Sequence, residues 1–305
     1  MATDATQDSS KAGLVVAAYG RRGMLETTGG ITLPYVVRGR RLQVCCGDSV
    51  HWQAFSANDP VVVSGVLPRR NELSRQPARG SKAETIAANI SHLVIVMAAL
   101  PAPDLFITDR YLCAARLMGA QAAIAWNKAD LAPLPEAELA VYAAIGYPLF
   151  PVSATTGAGL DALLTWLGQG IGLLAGQSGV GKSSLLNRLV PGSNTATGGL
   201  SAASDEGRHT TTASVMYTLA SGGRLIDTPG VRDFVPAIPE LRDIAHGFVE
   251  IGATGRNCRF ADCSHLREPD CAVNAAVAKG RIDARRHESY RRLMNLAGQA
   301  ADSVY

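Results

Sequence analysis

Residues 171–190 read IGLLAGQSGVGKSSLLNRLV: an apolar run, a glycine-rich turn, then an amphipathic run. The first residues predict a buried strand, and KSSLLNRLV predicts the helix behind the turn. Gly176, Gly179 and Gly181, with Val180 between the last two, permit a tight loop whose backbone N–H groups face phosphate oxygens. Lys182 is placed to reach the outer phosphates, and the Ser183 hydroxyl to ligate Mg²⁺. Ser184 follows in the first helical turn, whose positive end points at the same phosphates. The strand–loop–helix context makes this a phosphate-binding loop rather than an ordinary glycine turn.

Its partners lie on both sides. DTPG (227–230) ends the strand GRLI, 45 residues after Lys182, so that Asp227 is expected to hold Mg²⁺ through a water and Gly230 to offer its N–H to a γ-phosphate. NKAD (127–130) follows the strand QAAIAW. Asp130 there is suited to accept from guanine N1–H and N2–H₂, donors that adenine lacks, while Asn127 ties loops together and the Lys128 stem lies along the base. An unpaired carboxylate would penalise adenine by a few kcal/mol, on the order of 1–3. A further strand delivers SATTG (153–157), whose Ser153 and Ala154 complete the base pocket. Together these favour GTP over ATP.

The base readers thus precede the phosphate readers. The order is physically sound, because each motif ends a strand at the same edge of one sheet, and rejoining the termini leaves the loops convergent. The alternation of short apolar strands and helices from residue 86 predicts a mostly parallel α/β sheet covered on both faces. Before it, GLVVAAY, GMLETTGG, ITLPYVV, RLQVCCGDSVHWQAF and PVVVSGVLP predict a small all-β barrel with basic turns (Arg21, Arg22, Arg38, Arg40, Arg41) suited to a phosphate backbone. Residues 71–85 read as a polar linker, and residues 1–10 as a flexible tail. The expected boundaries are a barrel over 11–75, the nucleotide domain over 76–235 and a terminal module over 236–305. That module opens on one helix, LRDIAHGFVEI, and ends in a helical region carrying Lys279, Arg281, Arg285, Arg286, Arg291 and Arg292.

Composition is that of a globular chain, with 47% hydrophobic and 18% charged residues over 305, and a net charge of +3 too slight to decide a partner. LVIVMAAL (93–100) is too short to span a bilayer, and MATDATQDSS does not resemble a signal peptide, so a cytoplasmic protein is expected. Six cysteines do not form a secreted disulfide pattern. Cys45, Cys46 and Cys113 sit in apolar contexts as packing residues. NCRFADCSHLREPDC instead gives C-x₄-C-x-H-x₅-C: Cys258, Cys263, His265 and Cys271, a closed set for one structural Zn²⁺.

Between the phosphate loop and DTPG lies PGSNTATGGLSAASDEGRHTTTAS, in which GRHTTT resembles a switch loop. Thr211 is preferred as the threonine completing the Mg²⁺ shell, with Thr210 and Thr212 as rivals. After DTPG stands Val231, which cannot orient water, so intrinsic turnover is expected to be slow; that function is left to a partner or to His209, whose alternative reading from sequence alone is an ordinary loop histidine.

The ordered set NKAD, SATTG, GQSGVGKSS, GRHTTT, DTPG and CRFADCSHLREPDC resembles the circularly permuted, small-subunit-dependent bacterial GTPases called RsgA or YjeQ. The likeness runs from about residue 11 to the C-terminal helices. It implies an N-terminal OB-fold, a central permuted GTPase domain binding GTP or GDP with Mg²⁺, and a C-terminal zinc module. It further implies a GTPase stimulated by the 30S subunit, contact with 16S rRNA near the decoding region, other 30S maturation factors as neighbours, and no membrane or obligate oligomer. His209 and Val231 match the family's switch histidine and post-DTPG hydrophobic residue. The alternatives are a GTPase serving a non-ribosomal partner, and an RNA-binding module whose nucleotide merely stabilises the fold. The intact Lys182–Ser183–Asp227 set counts against the second.

Overall fold

Period-two burial from residue 11 onward closes a barrel. The computed structural model describes residues 11–39, 41–56, 59–75, 84–190, 214–228, 237 and 240–302. Strands β1 (Lys11–Tyr19), β2 (Arg22–Thr27), β3 (Thr32–Val37), β4 (Ser49–Gln53) and β5 (Val61–Val66) pair in the order β1-β2-β3-β5-β4 and back to β1. Only β3 and β5 run parallel within it. Alternate residues Val15, Leu25, Tyr35, Val50, Trp52 and Val63 point inward and are buried, each worth about 1.5–3 kcal/mol. This is the closed, OB-like barrel that the sequence predicts.

The expected polar linker is a correction. Residues 72–75 and 84–88 form an antiparallel ribbon, β6 (Glu72–Arg75) and β7 (Glu84–Ala88). Its inner residues Leu73, Ala87 and Ala88 are buried, which a solvated linker would not allow. Arg69 leads into the ribbon and donates to both oxygens of the fully buried Asp48, at 2.7 and 2.9 Å, fixing barrel to ribbon.

The nucleotide domain carries β8 (His92–Met97), α1 (Leu105–Leu117), β9 (Gln121–Trp126), α2 (Glu136–Ala144), β10 (Leu149–Pro151), α3 (Leu160–Leu167), β11 (Ile171–Ala175), α4 (Lys182–Leu189), β12 (Ser214–Thr218) and β13 (Arg224–Asp227). The order is β10-β9-β8-β11-β13-β12, parallel except for β12. Every residue of β8 is buried. Leu93, Ile95 and Met97 pack with Tyr111, Leu139 and Tyr142 under α1 and α2, while Val94 and Val96 pack with Leu163 and Leu185 under α3 and α4. Two covered faces explain why these strands read as continuous apolar runs.

The sheet does not stop at β12, which pairs with the barrel's β1 so that eleven strands form one run. The terminal module holds α5 (Leu241–Gly247), α6 (Val249–Gly255), α7 (Ala272–Ala278) and α8 (Ala284–Asp302). LRDIAHGFVEI is therefore two helices, not one. Phe248 is extended between them (φ −103°, ψ 103°) and buried edge-on against Tyr290, with ring centroids 5.6 Å apart. Gly247 lies so near α1 that a Cβ there would fall 2.2 Å from Cys113 Sγ.

Asp109, on α1, makes the firmest tie to this module. Fully buried, it accepts from Arg285 and Arg286 at 2.7 Å each and from Tyr142 Oη at 2.8 Å. Arg286 also donates to both oxygens of Glu250, at 2.8 and 3.0 Å. Arg285 and Arg286, counted by sequence with the basic terminal helix, are thus spent on internal pairing, because only such pairing allows charge in a core. Lys279 and Arg281 remain exposed. Among the described residues no helix is long and apolar enough to cross a membrane.

Candidate nucleotide site and metal centre

Four strand ends converge at one edge of the sheet. The loop after β11 turns through Gly176, Gly179 and Gly181, all at positive φ, into α4. At Gly181 (φ 93°) a Cβ would stand 2.4 Å from Asn127 Nδ2, so no other residue fits without displacing that amide. Lys182 Nζ donates to the carbonyls of Gly176 and Gln177 at 2.7 and 2.6 Å. Phosphate oxygens are the stronger acceptors for this ammonium, since both partners are then charged.

Asn127 does what its position after β9 predicts. Only 1% exposed, it donates from Nδ2 to Val180 O at 2.9 Å and accepts at Oδ1 from Ala154 N at 3.1 Å. One amide thereby joins the guanine motif, the SATTG loop and the phosphate loop. Lys128 (φ 61°) adds a second tie, with Nζ donating to Leu100 O at 2.9 Å and Gly179 O at 2.8 Å. Ser153 is buried and caps its own turn, its Oγ accepting from Thr156 N at 3.1 Å. Asp130 is exposed, its carboxylate open to solvent. Ser184 is also exposed, on the first turn of α4.

On the phosphate side, Lys182, Ser183, Asp227 and Thr228 line one small pocket with Leu174, Leu186 and Ile226. Lys182, Ser183 and Asp227, the residues expected on the phosphate and magnesium side, thus share one pocket. Their fit to Mg²⁺ lies in this donor set, one hydroxyl and one carboxylate beside an ammonium. Thr228 is only 4% exposed, and its Oγ1 has no hydrogen-bond partner among the described residues. His209, Thr211, Gly230 and Val231 lie outside the described residues.

Two contributors escaped the sequence reading. Gln177 Oε1, in the phosphate loop, accepts from Asp104 N at 3.0 Å. Asp104 caps α1, its Oδ1 accepting from Phe106 N and Ile107 N at 2.9 and 3.1 Å. An aspartate before an apolar helix signals a cap, but nothing in the sequence signals that its backbone meets the phosphate loop.

In the terminal module, one ligand atom each from Cys258, Cys263, His265 and Cys271 lies within 4.8 Å of the others. Cys258 Sγ and Cys271 Sγ stand 3.8 Å apart. Zinc–sulfur bonds of about 2.3 Å in a tetrahedron place sulfurs roughly 3.8 Å apart, so the set has zinc's dimensions. His265 Nδ1 faces the thiols, 3.5 Å from Cys258 and 3.7 Å from Cys271. Burial lowers the imidazole's pKa toward the neutral form that binds metal. Around the cluster, His287 Nε2 meets His265 O at 3.0 Å and Tyr290 Oη donates to Ser264 O at 2.7 Å. Burial raises the Glu268 carboxyl, but hydrogen bonds from Ser264, Leu266 and Arg267 outweigh it and hold the group at about 2. Cys45, Cys46 and Cys113 are buried as expected, and burial pushes the Cys113 thiol up to about 12.

Comparison with known proteins agrees with this geometry. The family model for the RsgA GTPase matches residues 66–235. The chain is 41% identical over 291 residues to the "Small ribosomal subunit biogenesis GTPase RsgA" of Azotobacter vinelandii, covering 92% of this chain and 84% of that one. It is 40% identical over 287 residues to the protein of the same description from Pseudomonas aeruginosa, with the same coverage. The crystal structure of YjeQ from Thermotoga maritima superposes with a TM-score of 0.74 at 28% identity, over 94% of this chain and 98% of that one. YloQ, described as a circularly permuted GTPase, shares the fold at a TM-score of 0.73 and 23% identity, over 98% and 99%. With that family model spanning more than half of its length and such relatives matching nine-tenths of it, this chain belongs to the RsgA GTPase family.

Proposed function

We propose that the protein hydrolyses GTP to GDP and phosphate in the maturation of the small ribosomal subunit, binding 16S rRNA through its barrel and zinc module. The observation that carries the chemistry is the Asn127 bridge, which seats the guanine motif against the phosphate loop. Asp130 reads the guanine edge, with Ser153 and Ala154 closing the base pocket. Backbone N–H groups around Gly176, Gly179, Val180 and Gly181 receive the phosphates, and Gly230 reports the γ-phosphate.

In the reaction a water oxygen bonds to the γ-phosphorus as the bond to the β-phosphate oxygen breaks, and that oxygen leaves with GDP. Lys182 leaves its loop carbonyls and offsets charge on the β- and γ-phosphates. Ser183, Asp227 and Thr211 would hold Mg²⁺, which when bound neutralises further charge there. Val231 offers no group to orient the water. Unassisted turnover is therefore slow, and His209 or the rRNA completes the site. The zinc set is closed and structural. The expected setting is the cytoplasm, as a monomer beside other maturation factors.

The relatives' description as small-subunit biogenesis GTPases supports the partner. Phosphate release with GTP or ATP, alone or with 30S or 50S subunits, tests both parts. Stimulation by 30S only, with ATP inert, is expected. Equal turnover of ATP would remove the guanine reading of Asp130, and slow GTP turnover indifferent to 30S would remove the partner.

A further inference from the structure

One row of residues crosses from the barrel to the phosphate side of the nucleotide site. Ala17 of β1 stands opposite Met24 on one side and Val215 of β12 on the other, and Val215 stands opposite Asp227. Asp227 is therefore two strand spacings, about 10 Å, from the barrel wall. A bulge between Val15 and Ala17 accompanies the change of partner, β1 pairing with β4 before it and with β12 after it.

The far end of the β12–β13 hairpin is held to the barrel as well. Arg224 NH1 donates to Glu26 Oε2 at 3.2 Å and NH2 to Glu26 Oε1, and both side chains are about three-quarters buried. The hairpin is thus fixed to the barrel by main-chain pairing at 214–215 and by an ion pair at 224. On its other side β13 lies against β11, the strand that feeds the loop carrying Lys182 and Ser183.

We infer that Glu26, a barrel residue, is a positioning residue for hydrolysis. Through Arg224 it sets the lie of the β12–β13 hairpin, and so the place of the Asp227 carboxylate relative to Ser183. The inference rests on the proposed reading of Asp227 and Ser183 as magnesium residues. Misplacing such a group by a fraction of an ångström is costly, since displacements near 1 Å lose on the order of 100-fold in rate. The barrel thereby holds the strand that bears Asp227.

The test uses the full chain as wild type, Glu26→Gln, the double charge swap Glu26→Arg with Arg224→Glu, and Asp227→Asn. Mg²⁺ is titrated against binding of a fluorescent GTP analogue, and kcat and KM for GTP are measured in parallel. Glu26→Gln is expected to raise the Mg²⁺ concentration at half-saturation about fivefold and to lower kcat by a similar factor, with KM nearly unchanged. The charge swap is expected to recover most of both losses, which assigns them to the ion pair and not to Glu26 alone. If Asp227→Asn raises the Mg²⁺ concentration at half-saturation while Glu26→Gln matches wild type, the inference fails and the magnesium reading stands. If Asp227→Asn leaves the dependence intact, the reading itself fails and the inference with it. A swap as impaired as Glu26→Gln also overturns the inference, because the effect would then belong to Glu26 alone and not to the pair.

Discussion

The two flanking modules are attached to the nucleotide sheet by different physics. Among the described residues the barrel meets the β12–β13 hairpin, which ends in Asp227, through pairing of Ala17 and Ala18 with Val215 and Ser214 and through the partly exposed Glu26–Arg224 pair. The zinc module joins through Asp109, fully buried among Arg285, Arg286 and Tyr142 on the guanine-reading side. A partly exposed ion pair is worth little net energy and is remade cheaply, whereas a buried one leaves a stranded charge when it breaks. The zinc module therefore travels with α1, whose cap meets the phosphate loop through Gln177. The barrel sits on the segment nearest the reaction, and its second anchor, the buried Asp48 that accepts from Arg69, lies away from that segment.

Metal loss is the most severe way to break this comparison. Structural zinc contributes about 10–16 kcal/mol in small metal-dependent folds. Cys271→Ser is expected to take bound zinc from one per chain to none and to open the 258–271 loop to protease. Guanine nucleotide affinity should stay within about threefold, because the nucleotide loops are built from other elements. A parallel collapse of nucleotide binding would show that zinc supports the sheet through the Asp109 clamp.

Next in size is the clamp itself. Arg286→Met removes the partner of Glu250 and one of two arginines on Asp109. A loss of about 3 kcal/mol in urea unfolding is expected, at the low end for a broken buried pair because Arg285 and Tyr142 remain. Glu26→Gln in the same assay should cost less than about 1 kcal/mol. The pair of variants sharpens the contrast: one strong in stability, the other strong in magnesium use. Equal costs would mean that the seam is a second rigid clamp.

What the sequence shows and what it hides follow the same division. NKAD, SATTG, the phosphate loop and DTPG are each contiguous, and each ends a strand, so their convergence follows from a parallel sheet. The clamp is invisible because Asp109 meets Arg285 and Arg286 across 176 and 177 residues. The ribbon is hidden by its composition, since ELSR and ETIAA flank QPARGSKA, a stretch of small and polar residues with one proline and one glycine that reads as linker. The broken helix 241–255 needed the third dimension too. Its register runs on in sequence, and only the approach of Cys113 to Gly247 and the pocket for Phe248 stop it.

The smallest effect concerns the sheet that both modules share. His92, mostly buried at the start of β8, lies at the edge away from the nucleotide loops, with its ring 4.7 Å from that of Trp166. Ser91 Oγ accepts from Ile171 N at 2.8 Å and is hydrogen-bonded to His92 Nδ1 at 2.8 Å. Burial lowers this imidazole's pKa below its ordinary 6.5, which favours the neutral ring in the fold. The sign follows directly: the stability is fully present above pH 6.5 and is lost as pH falls through the lower folded value. Urea midpoints of wild type should therefore drop between pH 7.5 and 5.5 more than those of His92→Gln, which keeps a donor but does not titrate. That slope gives the acid sensitivity of the sheet alone. If Glu26→Gln shows the same slope and Arg286→Met a steeper one, the seam leaves the sheet's own energetics untouched while the clamp is part of them.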